Sequence, residues 1–272
     1  DEPYYFAPAA EPLHEQITNW QREFQIEIGD NHAKYFDKNG WLYFTKETFD
    51  LLYPSYGDTY PTFLGAIGMT YEQAGGGDAG LGVLNSENEV VSLIDRINHH
   101  TTTGLSTVEI SSINARRLNI EFKEFFKSNN NSKISYVLKG NKDKIKSLTN
   151  LLDQHEIIYG YSKNYNNVKG YNYSANKEIK IDIDKNDLII SVNQPKGKLV
   201  EILFEQKTKL SDPLTYDITA WSLPYAYGLE ASVVDVKVET VDKISNFKLN
   251  EINSNSIGYI FEWSSLKDAE FL

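Results

Sequence analysis

Asp50-Leu51-Leu52-Tyr53-Pro54-Ser55-Tyr56-Gly57-Asp58-Thr59-Tyr60-Pro61, continued by Gly65-Ala66-Ile67-Gly68-Met69-Thr70-Tyr71-Glu72-Gln73-Ala74-Gly75, is the stretch on which the fold assignment turns. Its first half is dense in Tyr, Pro, Gly and Asp. Pro presets φ, while Gly and Asp tolerate turn conformations that other side chains avoid, so Tyr53 to Phe63 is predicted as a loop. Ala66 to Glu72 reads as a buried strand running into the glycine cluster Gly75-Gly76-Gly77. Glu72 then stands at the exit of an apolar strand, with small residues beside it that leave room for a ligand. A carboxylate so placed is partly withdrawn from water, a setting suited to general base work. On residue chemistry alone the simpler account is a side chain that salt-bridges or caps the following turn, because single carboxylates are common.

Working outward toward the start of the chain, Leu13, Ile17, Trp20, Phe24, Ile28 and Tyr35 recur mainly at three- and four-residue steps. This predicts a helix over Pro12 to Phe36, with Pro12 in its first turn and Gly40 as terminator. Trp41 to Phe44 is a short apolar run. On the other side, a second helical pattern covers Glu89 to Phe126, with Val90, Leu93, Ile94 and Ile97 on one face and Gly104 placed to interrupt it. The polar run Ser128-Asn129-Asn130-Asn131-Ser132 breaks the pattern and marks a domain boundary. Beyond it the composition shifts toward Lys, Ile and Asn. Lys133 to Leu138 is predicted as a strand, Lys142 to His155 as a helix and Ile157 to Tyr161 as a strand, a strand-helix-strand unit. Ile179, Ile181 and Ile183, then Leu188, Ile190 and Val192, alternate across Lys185-Asn186-Asp187 and predict a hairpin. Lys198 to Phe204 is predicted as a short helix, Ser256 to Phe261 as a strand, and Ser264 to Leu272 as the first turns of a helix. The expected organisation is a domain over 1–128, an α+β domain over 129–255 and the start of a further α/β segment over 256–272, the chain being a fragment at both ends.

Composition narrows the function classes. The 272 residues are 40% hydrophobic and 24% charged, the balance of a folded protein. A net charge of −11 argues against nucleic-acid binding, which needs clustered Lys and Arg. The absence of cysteine excludes a disulfide scaffold, a thiolate zinc site and a thiol nucleophile. No run approaches the roughly 20 apolar residues of a membrane-spanning helix, and Asp1 to Pro8 lack the basic start and apolar run of a signal peptide.

Several motifs are weighed and set aside. Adjacent residues on a helix point about 100° apart, so His99 and His100 do not share a ligand. His14-Glu15 lacks the second histidine of a zincin motif. Asp182, Asp184 and Asp187 lack the central Gly and terminal Glu of a calcium loop and fit a solvated strand face. The glycine-rich Gly75 to Gly82 stretch is not followed by the Lys-Ser or Lys-Thr of a phosphate loop. Asn130 and Asn172 occupy glycosylation-like triplets.

The ordered set Leu52-Tyr53, Gly57-Asp58 and Thr70-Tyr71-Glu72 resembles the end of the catalytic domain of carboxypeptidase A-like zinc metallopeptidases, in a bacterial subgroup. Tyr4-Tyr5-Phe6-Ala7-Pro8-Ala9-Ala10, Asn31 to Asp37 and Thr102 to Glu109 fit that subgroup as well. Gln194-Pro195-Lys196-Gly197 and Tyr216 to Pro224 resemble its accessory region, so the resemblance covers most of the chain. It implies an α/β fold: the C-terminal part of a mixed-sheet metallocarboxypeptidase domain, followed by a smaller α+β accessory domain. It implies zinc-dependent hydrolysis of the C-terminal bond of a peptide or protein, with Glu72 as general base, and a secreted or periplasmic protein. Tyr53 would close over the substrate's terminal end, and Gly57 and Asp58 would lie near the pocket for its terminal side chain. If Asp58 points into that pocket a basic terminal residue follows; if it braces the loop it carries no specificity. The family's zinc ligands are a His-x-x-Glu pair and a later His, with a substrate-binding Arg between. None of His14, His32, His99, His100 or His155 has Glu three residues on. The zinc ligands and that Arg are therefore expected upstream of Tyr4, and the isolated chain is expected to be inactive. Two other classes remain open: a non-catalytic binding module or pseudo-enzyme, and a glycoside hydrolase using Asp58 and Glu72.

Overall fold

The computed structural model describes residues 3–73, 80–85, 88–127, 131–216, 220–241 and 255–258. The protein is mixed α/β and forms two compact units, one of Asp1–Ser128 with Lys207–Trp221, the other of Asn129–Gln206 with Ser222–Leu272.

In the first unit, β1 (Tyr4–Tyr5) pairs in parallel with β3 (Tyr43–Phe44), and β2 (Ala10–Leu13) in parallel with β4 (Asp50–Leu51). Parallel partners need a crossover, and α1 (Asn19–Asn39) supplies it for both pairs. The helix begins later than its apolar spacing predicts. Pro12 lies in β2, where Leu13 is drawn to Leu51, and the start is set by Thr18, whose N–H donates to the Gln21 Oε1 at 3.0 Å. Gly40 ends the helix as predicted, in the left-handed region at φ 69°. Phe24, Ile28 and Phe36 face inward from α1, and Tyr4 and Phe6 pack on Phe36 with ring centroids 5.1 and 5.2 Å away.

A short helix, α2 (Thr59–Thr62), interrupts the predicted Tyr53 to Phe63 loop. Farther on, β5 (Gly82–Leu84) and β6 (Val90–Ser92) form an antiparallel ribbon. The helical pattern predicted from Glu89 is divided: its first residues are in β6, Ser92 caps α3 (Leu93–Ile113), and Asn114 separates α3 from α4 (Ala115–Lys127). Gly104 stays inside α3 and interrupts nothing. The predicted strand over Ala66 to Glu72 does not form. Only Glu72 pairs, in an isolated bridge where Tyr5 N–H donates to the Glu72 carbonyl at 2.7 Å and Glu72 N–H returns to Tyr5 at 3.1 Å. The cause is the path at Gly68, whose N–H donates to the Thr62 Oγ1 rather than to a neighbouring strand.

The second unit holds β7 (Ser135–Lys139), α5 (Lys142–Gln154), β8 (Gly160–Ser162), β9 (Tyr165–Asn172), β10 (Lys177–Ile183), β11 (Leu188–Ser191), α6 (Gly197–Phe204), α7 (Leu223–Ala226), β12 (Glu230–Val234) and β13 (Thr240–Val241). The strands form one sheet of order β10-β9-β12-β7-β11-β8-β13, every neighbouring pair antiparallel. The strand, helix and strand predicted over 133–161 appear as β7, α5 and β8, with β11 inserted between the strands. The predicted hairpin of β10 with β11 is not made. β10 pairs with β9, Ile179 opposite Gly170 and Ile181 opposite Val168, while β11 pairs with β7 and β8.

That topology forces curvature. In a flat sheet β10 and β11, four strand spacings apart, would be separated by about 19 Å at ~4.8 Å each. The link from Ile183 to Leu188 reaches at most about 18 Å when extended. It is not extended, because the Asp187 N–H donates back to the Asp184 carbonyl at 2.9 Å. The sheet curls, and Val137, Ile181, Ile183, Ile189, Val234 and Val238 form a buried cluster inside the curl. Asp187 is therefore not on a solvated strand face as predicted. It is buried, accepts the Asp184 N–H at 2.8 Å and lies 3.0 Å from the Lys139 ammonium. Of the strand predicted over Ser256 to Phe261, Ser256 to Gly258 are described and are not in a strand; the rest of it, and the helix predicted over Ser264 to Leu272, fall outside the described residues.

Candidate functional site

A cleft of about 320 Å³ opens in the first unit, with Gly57, Asp58, Thr70 and Glu72 in its lining. Phe49, Tyr56 and Tyr216 give it an aromatic wall, and Asp50 and Met69 complete it. Its framework is built from side chain to backbone. The Thr62 hydroxyl donates to the Asp58 carbonyl at 2.8 Å and accepts the Gly68 N–H at 2.9 Å. This draws the chain at Gly68 against Asp58: an added Cβ at residue 68 would lie 1.6 Å from the Asp58 carbonyl oxygen. Two residues on, the Thr70 hydroxyl donates to the Asp58 Oδ2 at 2.6 Å, and Thr59 donates to the Oδ1 at 3.1 Å. Asp58 thus lines the cleft while both its oxygens brace the loop.

From α1, two buried amides hold the same segment. The Gln21 Nε2 donates to the carbonyls of Thr62 and Ala66, each at 2.8 Å, and the Gln25 Nε2 to that of Gly68 at 3.2 Å. Asp50 is buried; its Oδ2 accepts the Tyr216 N–H at 2.7 Å and its Oδ1 the Leu52 N–H at 3.2 Å. Tyr5, beside these acids, is held above the ordinary phenol range, first by burial and then by the charges of Asp58, Asp50 and Glu72. Glu72 differs from the two aspartates. It is half-buried, its backbone is pinned by Tyr5, and its carboxylate makes no hydrogen bond or ion pair to a described residue.

Three of the four residues singled out from the sequence, Gly57, Asp58 and Glu72, therefore line one cleft. Tyr53 does not. Its ring packs between Tyr56 and Trp221, with centroids at 5.2 and 6.0 Å, and it is Tyr56 that reaches the lining. Sequence reasoning gave no site role to Asp50, Tyr56, Thr70 or Tyr216, nor to Gln21 and Gln25 on the helix. The usable signal was a pair of amides among Phe24 and Ile28 on the apolar face of α1, where an amide is buried only with partners.

The chain matches no model of a known protein family, no curated protein and no solved structure.

The histidines lie elsewhere. His99 and His100 diverge as predicted from their adjacency, the first joined through its Nδ1 to the Gln73 amide oxygen and the second to the Tyr4 hydroxyl, both at 2.9 Å. His14 packs between Phe63 and Trp221. His32 is fully buried, its Nδ1 2.8 Å from the Ser106 hydroxyl and its Nε2 without a partner among the described residues; burial lowers its pKa to about 4. Among the described residues no group of three or more His, Cys, Asp or Glu could hold a metal ion, so these residues do not by themselves fit a zinc site. No Lys or Arg lines the cleft. The glycine cluster Gly75 to Gly77 lies outside the described residues. No described helix is long and apolar enough to cross a membrane.

Proposed function

We propose that this chain forms the substrate-facing part of a metallocarboxypeptidase cleft, with Glu72 as its general base. The observation that carries the reading is the Glu72 carboxylate, without a partner among the described residues, in the lining that also holds Gly57 and the braced Asp58. In this reading a peptide's C-terminal residue enters between Phe49, Tyr56 and Tyr216. Glu72 accepts a proton from the attacking water and returns it to the leaving amine. Because Asp58 spends both oxygens on Thr59 and Thr70, the terminal side chain is met chiefly by the aromatic wall. The zinc, its ligands and the arginine for the terminal carboxylate belong, on the resemblance, to a segment preceding Tyr4; the described residues supply none of them. The protein is then secreted or periplasmic.

The test is the release of single residues from the C-terminus of a peptide by a protein carrying this chain together with that segment, with and without a chelator. Release that stops on chelation supports the reading. Sugar release that survives chelation would replace it with a glycoside hydrolase. A second reading, a non-catalytic peptide-binding module, is favoured by the lack of a metal ligand set among the described residues. It predicts peptide binding with no turnover, with or without the chelator.

A further inference from the structure

Behind the cleft lies a second cavity of about 350 Å³. Trp20, Phe24 and Ile28 of α1 and Leu118 and Phe122 of α4 line it, it opens to solvent beside the exposed Phe122 and Asn119, and Met69 lines both it and the cleft. No lining residue is charged. The polar groups are Thr107, Ser111 and Asn119, and of these the Ser111 hydroxyl makes no hydrogen bond to a described residue. An apolar cavity of about 150 Å³ accommodates benzene. This one has room for two fused rings, and an uncharged, largely apolar wall with one open hydroxyl suits a neutral aromatic ligand with a single polar group, of which an N–H donor to that hydroxyl is the simplest case. Its wall is also wired to the cleft. The Tyr71 hydroxyl lies 2.6 Å from the Thr107 Oγ1 and 3.8 Å from the Met69 sulfur, and Tyr71 immediately precedes Glu72.

We propose that this cavity is a second binding site, for a neutral two-ring aromatic carrying a hydrogen-bond donor, whose occupancy displaces Met69, the wall it shares with the cleft. Methionine is the side chain best able to yield, having three flexible torsions and no branch. The site does not depend on the peptidase reading, since it needs neither metal nor turnover.

Met69 is the chain's only methionine, so methyl-labelled methionine gives one resonance placed on the shared wall. Titration of this chain with indole is expected to shift that resonance saturably, with half-saturation at about 1 mM, as small aromatic fragments give. Ser111→Phe, which fills the cavity, and Asn119→Trp, which covers it from an exposed position, should each reduce the shift at least tenfold. Should the first variant fail to fold, the second still decides. Tyr216→Ala, on the cleft side of Met69, should leave it unchanged. The proposal is overturned by the absence of a saturable shift, by a shift that survives the cavity variants, or by a shift lost only in Tyr216→Ala, which would put indole in the cleft.

Discussion

Gly68→Ala is the substitution whose cost follows most directly from the geometry. The added methyl would sit 1.6 Å from the Asp58 carbonyl oxygen, 2.5 Å from its carbon and 2.6 Å from the Thr62 Oγ1. No rotamer relieves a clash between a Cβ and a backbone carbonyl, so the backbone of residue 58 or 68 must move by more than 1 Å. Overpacking of this kind costs about 1–3 kcal/mol. The same shift weakens the Gly68–Thr62 and Thr62–Asp58 hydrogen bonds, worth about 1 kcal/mol each. The expected loss is about 3–5 kcal/mol in the first unit. At a urea m-value of about 2 kcal/mol/M the midpoint falls by about 1.5–2.5 M. Tryptophan fluorescence reports it, because Trp20, Trp41 and Trp221 all belong to this unit. Gly57→Ala is the control: nothing stands within 4 Å of its added Cβ, and its stability should stay within about 0.5 kcal/mol of the parent, about 0.25 M in midpoint. Equal midpoints for the two variants would refute the close approach at Gly68 and with it the framework of the cleft.

Gln21→Met keeps the length of the side chain but leaves the Ala66 carbonyl without its donor, leaves the Thr62 carbonyl with the Gly65 N–H alone and removes the acceptor of the Thr18 N–H, and should cost about 2–4 kcal/mol by the same denaturation. A loss under 0.5 kcal/mol would mean water replaces the amide. His32 has a folded pKa of about 4 against 6.5 for a free imidazole, so the fold keeps it neutral. Its contribution is complete above about pH 6.5 and declines as the pH falls toward 4, reaching a loss of about 2.5 kcal/mol by pH 4.5. His32→Gln should flatten that part of the stability profile; an unchanged slope between pH 6.5 and 4.5 would show that other groups produce it.

What could be read from the sequence was local and periodic. Gly40, α5 and the inserted strands of the second unit follow from a left-handed cap, a helical spacing and β-branched alternation. The errors have physical causes. Leu13 and Ile17 continue the spacing of α1 by coincidence, and the true start was written in Thr18 and Gln21, a capping box. Ala66 to Glu72 is apolar enough for a strand, but Gly68 presses on Asp58 and takes its hydrogen bond from a threonine side chain. Ile179 to Ile183 and Leu188 to Val192 alternate like hairpin partners, yet β10 makes its hairpin with β9 just before it, while β11 pairs with β7 and β8 earlier in the chain. The cleft was half legible. Gly57, Asp58 and Glu72 lie in one stretch of sequence, whereas Tyr216 joins them only because residues 207–221 belong to the first unit.

The decisive measurement is turnover and zinc content for Glu72→Gln in a protein that joins this chain to the proposed metal-binding segment. Glutamine keeps the shape of the side chain and removes its capacity to take a proton. Metal content should be unchanged while C-terminal release falls by at least ~10²-fold. Release close to that of the parent protein would remove Glu72 from the chemistry and contradict the account.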